Sequence, residues 1–174
     1  MGIKYTLFVI VVFFGMLVPI YPEKSVSFLN YQIINIIPYD QSIYTQGLYL
    51  DGDQLYISSG LYQKSYIAKY DFKNKVIVKP VVKQTLSDNY FSEGLTVIED
   101  NLYLCTWKSG DCFVYDKHRF LKKKKWVIDT EGWGLTSLDD EIILSDGTDK
   151  LFFFHKDTFE LNKILNVTFK NKPV

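Results

Sequence analysis

Three stretches of this 174-residue chain repeat one short pattern, and that repetition restricts the fold more than any other feature. Each stretch opens on a Gly-Leu pair, continues through an acidic turn to a second apolar run, and ends in a third, aromatic run. The opening glycines are Gly47, Gly94 and Gly134, which lie 47 and 40 residues apart. Repeats of about 40 residues that contain several short strands are typical of the blades of a β-propeller.

The repeats predict an all-β fold, a partial β-propeller over residues 28–174 with about three blades, which start near residues 44, 91 and 131. Aromatic residues make up 17% of the chain and favour strands, and no helix of useful length is predicted after residue 25. The fourth, outer strands of the first two blades are expected at Val76–Lys83 and Lys122–Asp129. His118 and His155 fall at turns and are predicted to be surface residues.

Residues 1–24 are set apart by an apolar run, Leu7–Val18, that follows Lys4 and precedes Pro19. Such a run at the start of a chain is typical of a signal peptide or a short membrane anchor. It falls slightly short of the roughly 20 apolar residues that a spanning helix needs. The sequence therefore predicts an exported protein, either periplasmic or secreted, or one anchored in a membrane and facing outside.

Composition excludes several classes of function. Lys and Arg together number 20, as do Asp and Glu, so the net charge is zero and a basic surface for nucleic acid is not expected. The two cysteines are too few for a disulfide-rich scaffold or for a zinc site with four thiolates. Cys105 and Cys112 flank a predicted hairpin turn, where they would form either a disulfide or a buried pair of thiols.

Residues at equivalent positions of the repeats are related by rotation about the axis of a propeller, so they form rings around it. Three such sets stand out. The residues directly before the three glycines are Gln46, Glu93 and Trp133, and the residues two positions before these are Tyr44, Phe91 and Glu131. The residues fourteen positions after Gln46, Glu93 and Trp133 are Gly60, Trp107 and Gly147. An amide, a carboxylate and an indole share one ring, although the Gly-Leu pairs beside them stay alike. A constant scaffold with divergent side chains predicts a site near the mouth of the propeller.

Several of these motifs together resemble one protein family. They are Pro38–Leu48, Ser58–Tyr62, Phe91–Thr96, Thr106-Trp107, Glu131–Leu135 and Ser145–Gly147. Their order and spacing are similar to those of the glutaminyl-peptide cyclotransferases (glutaminyl cyclases) of the plant and bacterial β-propeller type. The resemblance implies a five-bladed propeller. It also implies an enzyme of the acyltransferase class that converts the N-terminal glutamine of peptides to pyroglutamate and releases ammonia.

The resemblance further implies roles for individual residues. The matching residues are Glu93 as the catalytic carboxylate, Gln46 as the substrate-binding amide, and Tyr44, Phe91, Trp107 and Trp133 as the pocket walls. One carboxyl group can take a proton from the attacking amine and return it to the leaving nitrogen. No metal ligands and no cofactor are required, and a structural divalent cation is left open.

The chain departs from the family chiefly at its C-terminus. It ends at Val174, where the family continues through further blades, so we expect a truncated propeller. The missing blades are either absent or supplied by a partner chain or by self-association. Two other functions remain open from the sequence, a non-catalytic remnant that binds peptides or proteins, and a sugar-binding or hydrolytic propeller in which Glu93 and Glu131 form a pair of carboxylates.

Overall fold

Short β-strands make up all the regular secondary structure of the residues that this computed structural model describes, which are 29–38, 40–73, 77 and 79–174. Blade 1 contains β1 (Thr45–Asp51), β2 (Gln54–Ser59), β3 (Tyr66–Asp71) and β4 (Val82–Thr85). Blade 2 contains β5 (Ser92–Ile98), β6 (Asn101–Thr106), β7 (Asp111–Asp116) and β8 (Lys122–Val127). Blade 3 contains β9 (Leu135–Leu138), β10 (Glu141–Ser145), β11 (Lys150–His155) and β12 (Leu161–Asn166), and a final hairpin pairs β13 (Thr168–Phe169) with β14 (Lys172–Pro173).

The prediction of an all-β, propeller-type fold is confirmed. Each blade is an antiparallel sheet whose four strands pair in chain order, and all three blades belong to one compact unit, Asn35–Val174. Within the described ranges, no helix is long and apolar enough to cross a membrane. The predicted signal peptide or anchor at residues 1–24 lies outside the described residues.

The outer strands differ from the sequence prediction in two blades. In blade 1 the outer strand is β4, which begins at Val82, whereas the prediction covers Val76–Lys83, part of which lies outside the described residues. Pro80 has no N–H to contribute to a ladder, so pairing with β3 begins only beyond it. In blade 3 the sequence does not predict β12, because every residue of this strand is exposed and no alternation marks it. Strand β8 lies where an outer strand is predicted.

The glycines that open the repeats allow neighbouring blades to approach each other closely. A Cβ atom on Gly47 would lie 2.7 Å from the backbone nitrogen of Leu95 in blade 2, and one on Gly94 would collide with the backbone of blade 3. Gly134 differs, because a Cβ atom there would meet only the side chain of Ser145, in its own blade. Glycine is therefore required where the first strand of a blade packs against the next blade of this chain.

The faces between blades are apolar, and equivalent residues show which faces are covered. Leu95 and Val97 of β5 pack against blade 1 and are only 2% and 5% exposed. The equivalent residues of β1, Leu48 and Leu50, are 63% and 53% exposed and line an apolar groove of about 390 Å³. The open side of blade 1 thus has an apolar surface equivalent to the one that blade 2 packs against blade 1.

At the other end of the first strands, a lysine joins each pair of neighbouring blades. The ammonium of Lys117, after β7, lies 3.1 Å from a carboxylate oxygen of Asp51 at the end of β1. The ammonium of Lys156, after β11, lies 2.7 Å from a carboxylate oxygen of Glu99, just beyond β5. We call these two ion pairs the lysine bridges. Their lysines stand at equivalent repeat positions, and the equivalent residue of blade 1 is Phe72.

The two cysteines lie opposite each other on β6 and β7. Both Cys105 and Cys112 are fully buried and free. Burial raises the pKa of each thiol, because the charged thiolate is poorly solvated in the core. Of the two arrangements that the sequence leaves open, the structure shows the buried pair of thiols.

Candidate active site

A cavity of about 600 Å³ opens at the end of the blades where the repeat glycines lie. The residues that line it are Tyr44, Gln46, Phe91, Glu93, Trp107, Trp133, Gly134 and Ser145. All six residues that the sequence singles out as a site therefore border one cavity, although three different blades supply them. The role of each residue in this cavity stays a prediction.

Irregularities in two strands direct the polar residues into the cavity. The pairing of β1 with β2 shifts its register between Thr45 and Gly47, which leaves Gln46 outside the ladder. The equivalent shift in the pairing of β5 with β6 does the same for Glu93. A bulge of this kind bends the strand and redirects a side chain, and such bulges are common beside active sites. Two equivalent bulges thus place an amide and a carboxylate side by side.

The backbone at Glu93 and at Trp133 is anchored by the preceding blade. The hydroxyl of Ser58 in β2 donates a hydrogen bond to the carbonyl of Glu93, and the thiol of Cys105 in β6 donates to the carbonyl of Trp133 over 3.6 Å. Ser58 and Cys105 stand at the same repeat position, eleven residues after the opening glycine. Ser145 is the third member of this set and lines the cavity. The second strand of a blade therefore holds the segment that carries the next blade's site residue.

Gln46 and Glu93 form a polar pair inside the cavity. Nε2 of Gln46 donates a hydrogen bond to Oε1 of Glu93 at 2.7 Å. Both side chains are half-buried, and burial raises the pKa of Glu93 above its ordinary value of 4.5, against the opposing effect of the Gln46 hydrogen bond. A carboxyl group with a raised pKa can accept and release a proton closer to neutral pH, as acid–base catalysis needs.

Phe91 is at the centre of the aromatic wall. Its ring meets the rings of Tyr44 and Trp107 edge to face, at centroid distances of 6.2 and 5.5 Å. Tyr62, which lies in one of the family motifs but is not predicted as a site residue, packs on the same ring with a centroid distance of 5.4 Å. Nothing in the repeat pattern marks Tyr62, because it lies between strands in a turn that the other repeats do not share.

Two glycines at equivalent repeat positions make room for rings of this wall. A Cβ atom on Gly60 would collide with the ring of Phe91. A Cβ atom on Gly147, whose φ is 81°, would lie 2.9 Å from the ring of Trp133. Blade 2 has Trp107 at this position, so here the residue contributes an aromatic ring to the wall instead of leaving space for the ring of another residue.

Glu131 binds both indoles of the cavity. Its Oε2 accepts a hydrogen bond from Nε1 of Trp107 at 2.8 Å and another from Nε1 of Trp133 at 3.0 Å. The sequence places Glu131 among the ring positions but contains no signal for this contact, which joins side chains of two blades. Because this oxygen is bound to two indoles and Glu131 does not line the cavity, the geometry does not favour a hydrolytic pair of Glu93 and Glu131.

Other features of the described residues give weaker evidence for a functional site. A second cavity, of about 430 Å³, lies on blade 1, and its carboxylate, Asp40, has a pKa lowered by the backbone hydrogen bond from Ser42. In the part of the chain that the structure describes, no group of three His, Cys, Asp or Glu side chains could hold a metal ion. His118 is 60% exposed and contacts Asp100 at 3.3 Å, as expected of a surface residue. The expectation that no cofactor is required stays a prediction.

Comparison with known proteins places the chain in a family. Residues 8–174 match the model of the glutamine cyclotransferase family. The chain belongs to this family. Glutaminyl-peptide cyclotransferase of Arabidopsis thaliana is 30% identical to it over 145 residues, which are 82% of this chain and 44% of that protein. The crystal structure of Myxococcus xanthus glutaminyl cyclase aligns with a TM-score of 0.73 and 27% identity, over 82% of this chain and 59% of that one.

These matches confirm the resemblance to glutaminyl cyclases that the sequence motifs indicate. The fold is shared more widely than the glutamine cyclotransferase family, because a chain of the nidogen–laminin complex aligns with a TM-score of 0.61 at only 12% identity. The similarity to the nidogen–laminin chain concerns the fold alone. The chain spans about half the length of the glutaminyl cyclases that it matches, 44% of one and 59% of the other.

Proposed function

We propose that this chain supplies the catalytic carboxyl group and much of the pocket wall of a glutaminyl-peptide cyclotransferase. Such an enzyme converts the N-terminal glutamine of peptides to pyroglutamate and releases ammonia. The observation that carries the proposal is the pair Gln46 and Glu93, hydrogen-bonded at 2.7 Å inside an aromatic cavity of about 600 Å³. Membership of the glutamine cyclotransferase family supports it.

The reaction closes a lactam ring and needs one proton transfer in each direction. The α-amine of the substrate attacks the carbonyl carbon of the side-chain amide, a C–N bond forms there, and the bond from that carbon to the amide nitrogen breaks. Glu93 takes the proton that the amine loses and delivers it to the departing nitrogen, which leaves as ammonia. A positioned acid–base group of this kind typically contributes about 10²–10⁴-fold to the rate.

The surroundings of Glu93 suit this double role. Burial raises its pKa, so the carboxylate is a stronger base than an exposed one, and its conjugate acid forms more readily. The amide of Gln46 orients the carboxyl group through its hydrogen bond to Oε1. Because one carboxyl group performs both transfers, we propose that the reaction requires no metal ion or cofactor.

The aromatic residues would hold the substrate in its reactive shape. Ring closure requires the glutamine side chain to fold back over its own amine, a conformation that is rare in a free peptide. Phe91, Trp107 and Trp133 line the cavity with flat apolar surfaces that can enclose the folded side chain and exclude water. Tyr44 is 51% exposed and would contact the peptide beyond its first residue.

We propose that further blades cover the open face of blade 1, either from a longer form of the protein or from a partner chain. The exposed Leu48 and Leu50 are equivalent to Leu95 and Val97, which blade 1 covers in blade 2. Sedimentation of the purified chain tests whether a second copy of this chain covers that face. Self-association that Leu48→Lys abolishes would assign the cover to a second copy, whereas a monomer at every concentration would exclude it.

We also propose that the protein is exported, because the apolar run within residues 1–24 is typical of a signal peptide or anchor. Cell fractionation checks the location, and sequencing the N-terminus of the mature protein distinguishes a cleaved signal from a retained anchor. Recovery of the intact chain from the cytoplasm would contradict the proposal.

The proposed activity is tested by incubating the purified protein with a peptide that begins with glutamine and measuring the mass of the product. The expected result is the loss of one ammonia per peptide. A matched peptide that begins with asparagine should not react, because its shorter side chain would close a more strained ring. Binding of the glutamine peptide without conversion would contradict the proposal and favour a non-catalytic peptide-binding module.

A further inference from the structure

A single carboxylate joins two tryptophans that line the cavity. Oε2 of Glu131 accepts hydrogen bonds from the indole N–H of Trp107 at 2.8 Å and from that of Trp133 at 3.0 Å. An indole N–H can only donate and an ionised carboxylate can only accept, so both contacts pair a donor with an acceptor. The negative charge makes each of them stronger than a bond between neutral groups.

The indole of Trp133 depends on this contact for its direction. The residue precedes β9 and is 46% exposed, so burial alone does not fix its direction. Its backbone is fixed, because its carbonyl accepts from the N–H of Gly94 at 2.7 Å and its N–H donates to the carbonyl of Ser145 at 3.0 Å. The ring lies over Gly147, which leaves it space. The hydrogen bond to Glu131 is what fixes the ring within that space.

Glu131 itself is held firmly next to Trp107. The following residue, Gly132, donates its N–H to the carbonyls of Thr106 and Trp107, at 3.2 and 3.1 Å. A Cβ atom on Gly132 would lie 2.8 Å from the Cβ atom of Cys105, so this segment packs directly on β6. The carboxylate therefore projects from a backbone whose distance to the backbone of Trp107 is set by tight packing.

We infer that Glu131 is a positioning residue that sets the spacing of Trp107 and Trp133, and with it the width of the pocket for a folded glutaminyl side chain. The inference rests on the proposed function and assigns to it a residue outside the cavity lining. Glu131 acts through the indoles and not on the reacting atoms. Its loss should therefore weaken substrate binding more than it slows the chemical step.

The two hydrogen bonds can be tested without any turnover. The chain has three tryptophans, and the third, Trp126, has a buried Nε1 with no hydrogen-bond partner among the described residues. In an NMR spectrum of isotope-labelled indoles, Glu131→Leu should shift two indole signals and speed their exchange with solvent, while the signal of Trp126 stays in place. Glu131→Gln, which keeps an uncharged acceptor, should produce smaller shifts. Unchanged indole signals in both variants would overturn the inference.

Kinetics separate a positioning role from a catalytic one. Hydrogen bonds to charged groups are strong enough that Glu131→Leu should raise KM for a glutamine peptide about tenfold or more. We expect kcat to stay within about threefold of its original value, because the reacting atoms do not touch Glu131. A large fall in kcat with KM unchanged would overturn the inference and make Glu131 a catalytic group.

A double-mutant cycle shows whether Glu131 acts through the indole. Trp107→Phe keeps an aromatic ring but removes the N–H, so in this background Glu131→Leu has one bond fewer to break. The combined rise in KM should be smaller than the product of the two separate rises. Effects that multiply in full would overturn the inference.

Glu141→Gln is the matched control, because Glu141 is also in blade 3 but its carboxylate accepts from Asn162 at 3.1 Å, away from the cavity. This variant should leave the indole signals and the kinetics unchanged. The two hypotheses fail separately. A wild-type protein without cyclase activity would contradict the proposed function, whereas the indole spectrum would still decide whether Glu131 positions the two rings.

Discussion

The two ends of the first strands follow different rules. At the end with the lysine bridges, equivalent residues perform the same task, because Lys117 and Lys156 each bind a carboxylate of the preceding blade. At the cavity end, the equivalent residues Gln46, Glu93 and Trp133 differ in chemical type although a glycine follows each of them. The repeats therefore keep a common joint between blades and vary where side chains face the cavity.

The carboxyl groups at the two ends titrate in opposite directions. At the bridge end, Asp140 is exposed and the hydrogen bond from Lys156, at 2.7 Å, lowers its pKa. At the cavity end, burial raises the pKa of Glu93. An acid with a lowered pKa stabilises the fold when it is ionised, whereas an acid with a raised pKa destabilises it. The ionised Asp140 at the bridge end thus stabilises the fold, whereas the ionised Glu93 at the cavity end destabilises it and is at the same time the more reactive group.

The largest expected effect is on catalytic activity, which should depend on the carboxyl group at the cavity end and not on the one at the bridge end. Glu93→Gln should lower kcat for a glutamine peptide by about 10²–10⁴-fold, because the amide cannot shuttle the proton. The same change at the bridge end, Glu99→Gln, should leave kcat unaltered. Release of ammonia measures both variants, and their far-ultraviolet circular dichroism should match that of the wild type. An active Glu93→Gln variant would contradict the assignment of this residue.

The next effect concerns the glycines at the cavity end. Gly94→Ala should lower the free energy of unfolding by about 1–3 kcal/mol, since its Cβ atom would collide with the backbone of blade 3. Gly134→Ala should cost less, because its Cβ atom would meet only the hydroxyl group of Ser145, which can rotate. Denaturant unfolding measures the difference. Equal losses at the two sites would mean that blade contact is not the reason for the repeated glycine.

A smaller effect appears in the pH dependence of stability. The pKa of Glu93 in the folded protein lies above its ordinary value of 4.5, so between these two values the native state binds more protons than the unfolded state. Stability therefore falls as the pH rises through that window. Glu93→Gln should be more stable than the wild type at neutral pH and should lose this advantage below pH 4.5. Thermal unfolding at both pH values checks this, and an advantage that does not change with pH would contradict the titration of Glu93.

The smallest effect is expected at a lysine bridge. Lys117→Met removes an ion pair whose partner Asp51 is 44% exposed, so the loss in unfolding free energy should be about 0.5–1 kcal/mol at low salt. Added salt should reduce that loss, because it screens exposed charges. Denaturant unfolding at low and high salt provides the measurement. A loss that does not depend on salt would assign the contribution of Lys117 to packing.

Residues beside the repeat glycines could be assigned to a common site without coordinates. Gln46 and Glu93 stand directly before a glycine that the packing of blades requires, so their place relative to the axis follows from the backbone repeat. The outer strands could not be predicted as well. Strand β12 is exposed along its whole length, and β4 begins late because Pro80 interrupts the ladder. At the edge of a sheet, burial leaves little pattern in the sequence.

The sequence by itself determined the number of repeats, the all-β character of the chain and six of the residues that line the cavity. Only the tertiary structure decided that Glu131 binds Trp107 and Trp133, and that Gly60 and Gly147 leave room for aromatic rings. Repeat spacing follows from the backbone of each blade, and that backbone is local. Hydrogen bonds and ring contacts between blades depend on the distance and angle at the joint, which arise only when the blades pack together.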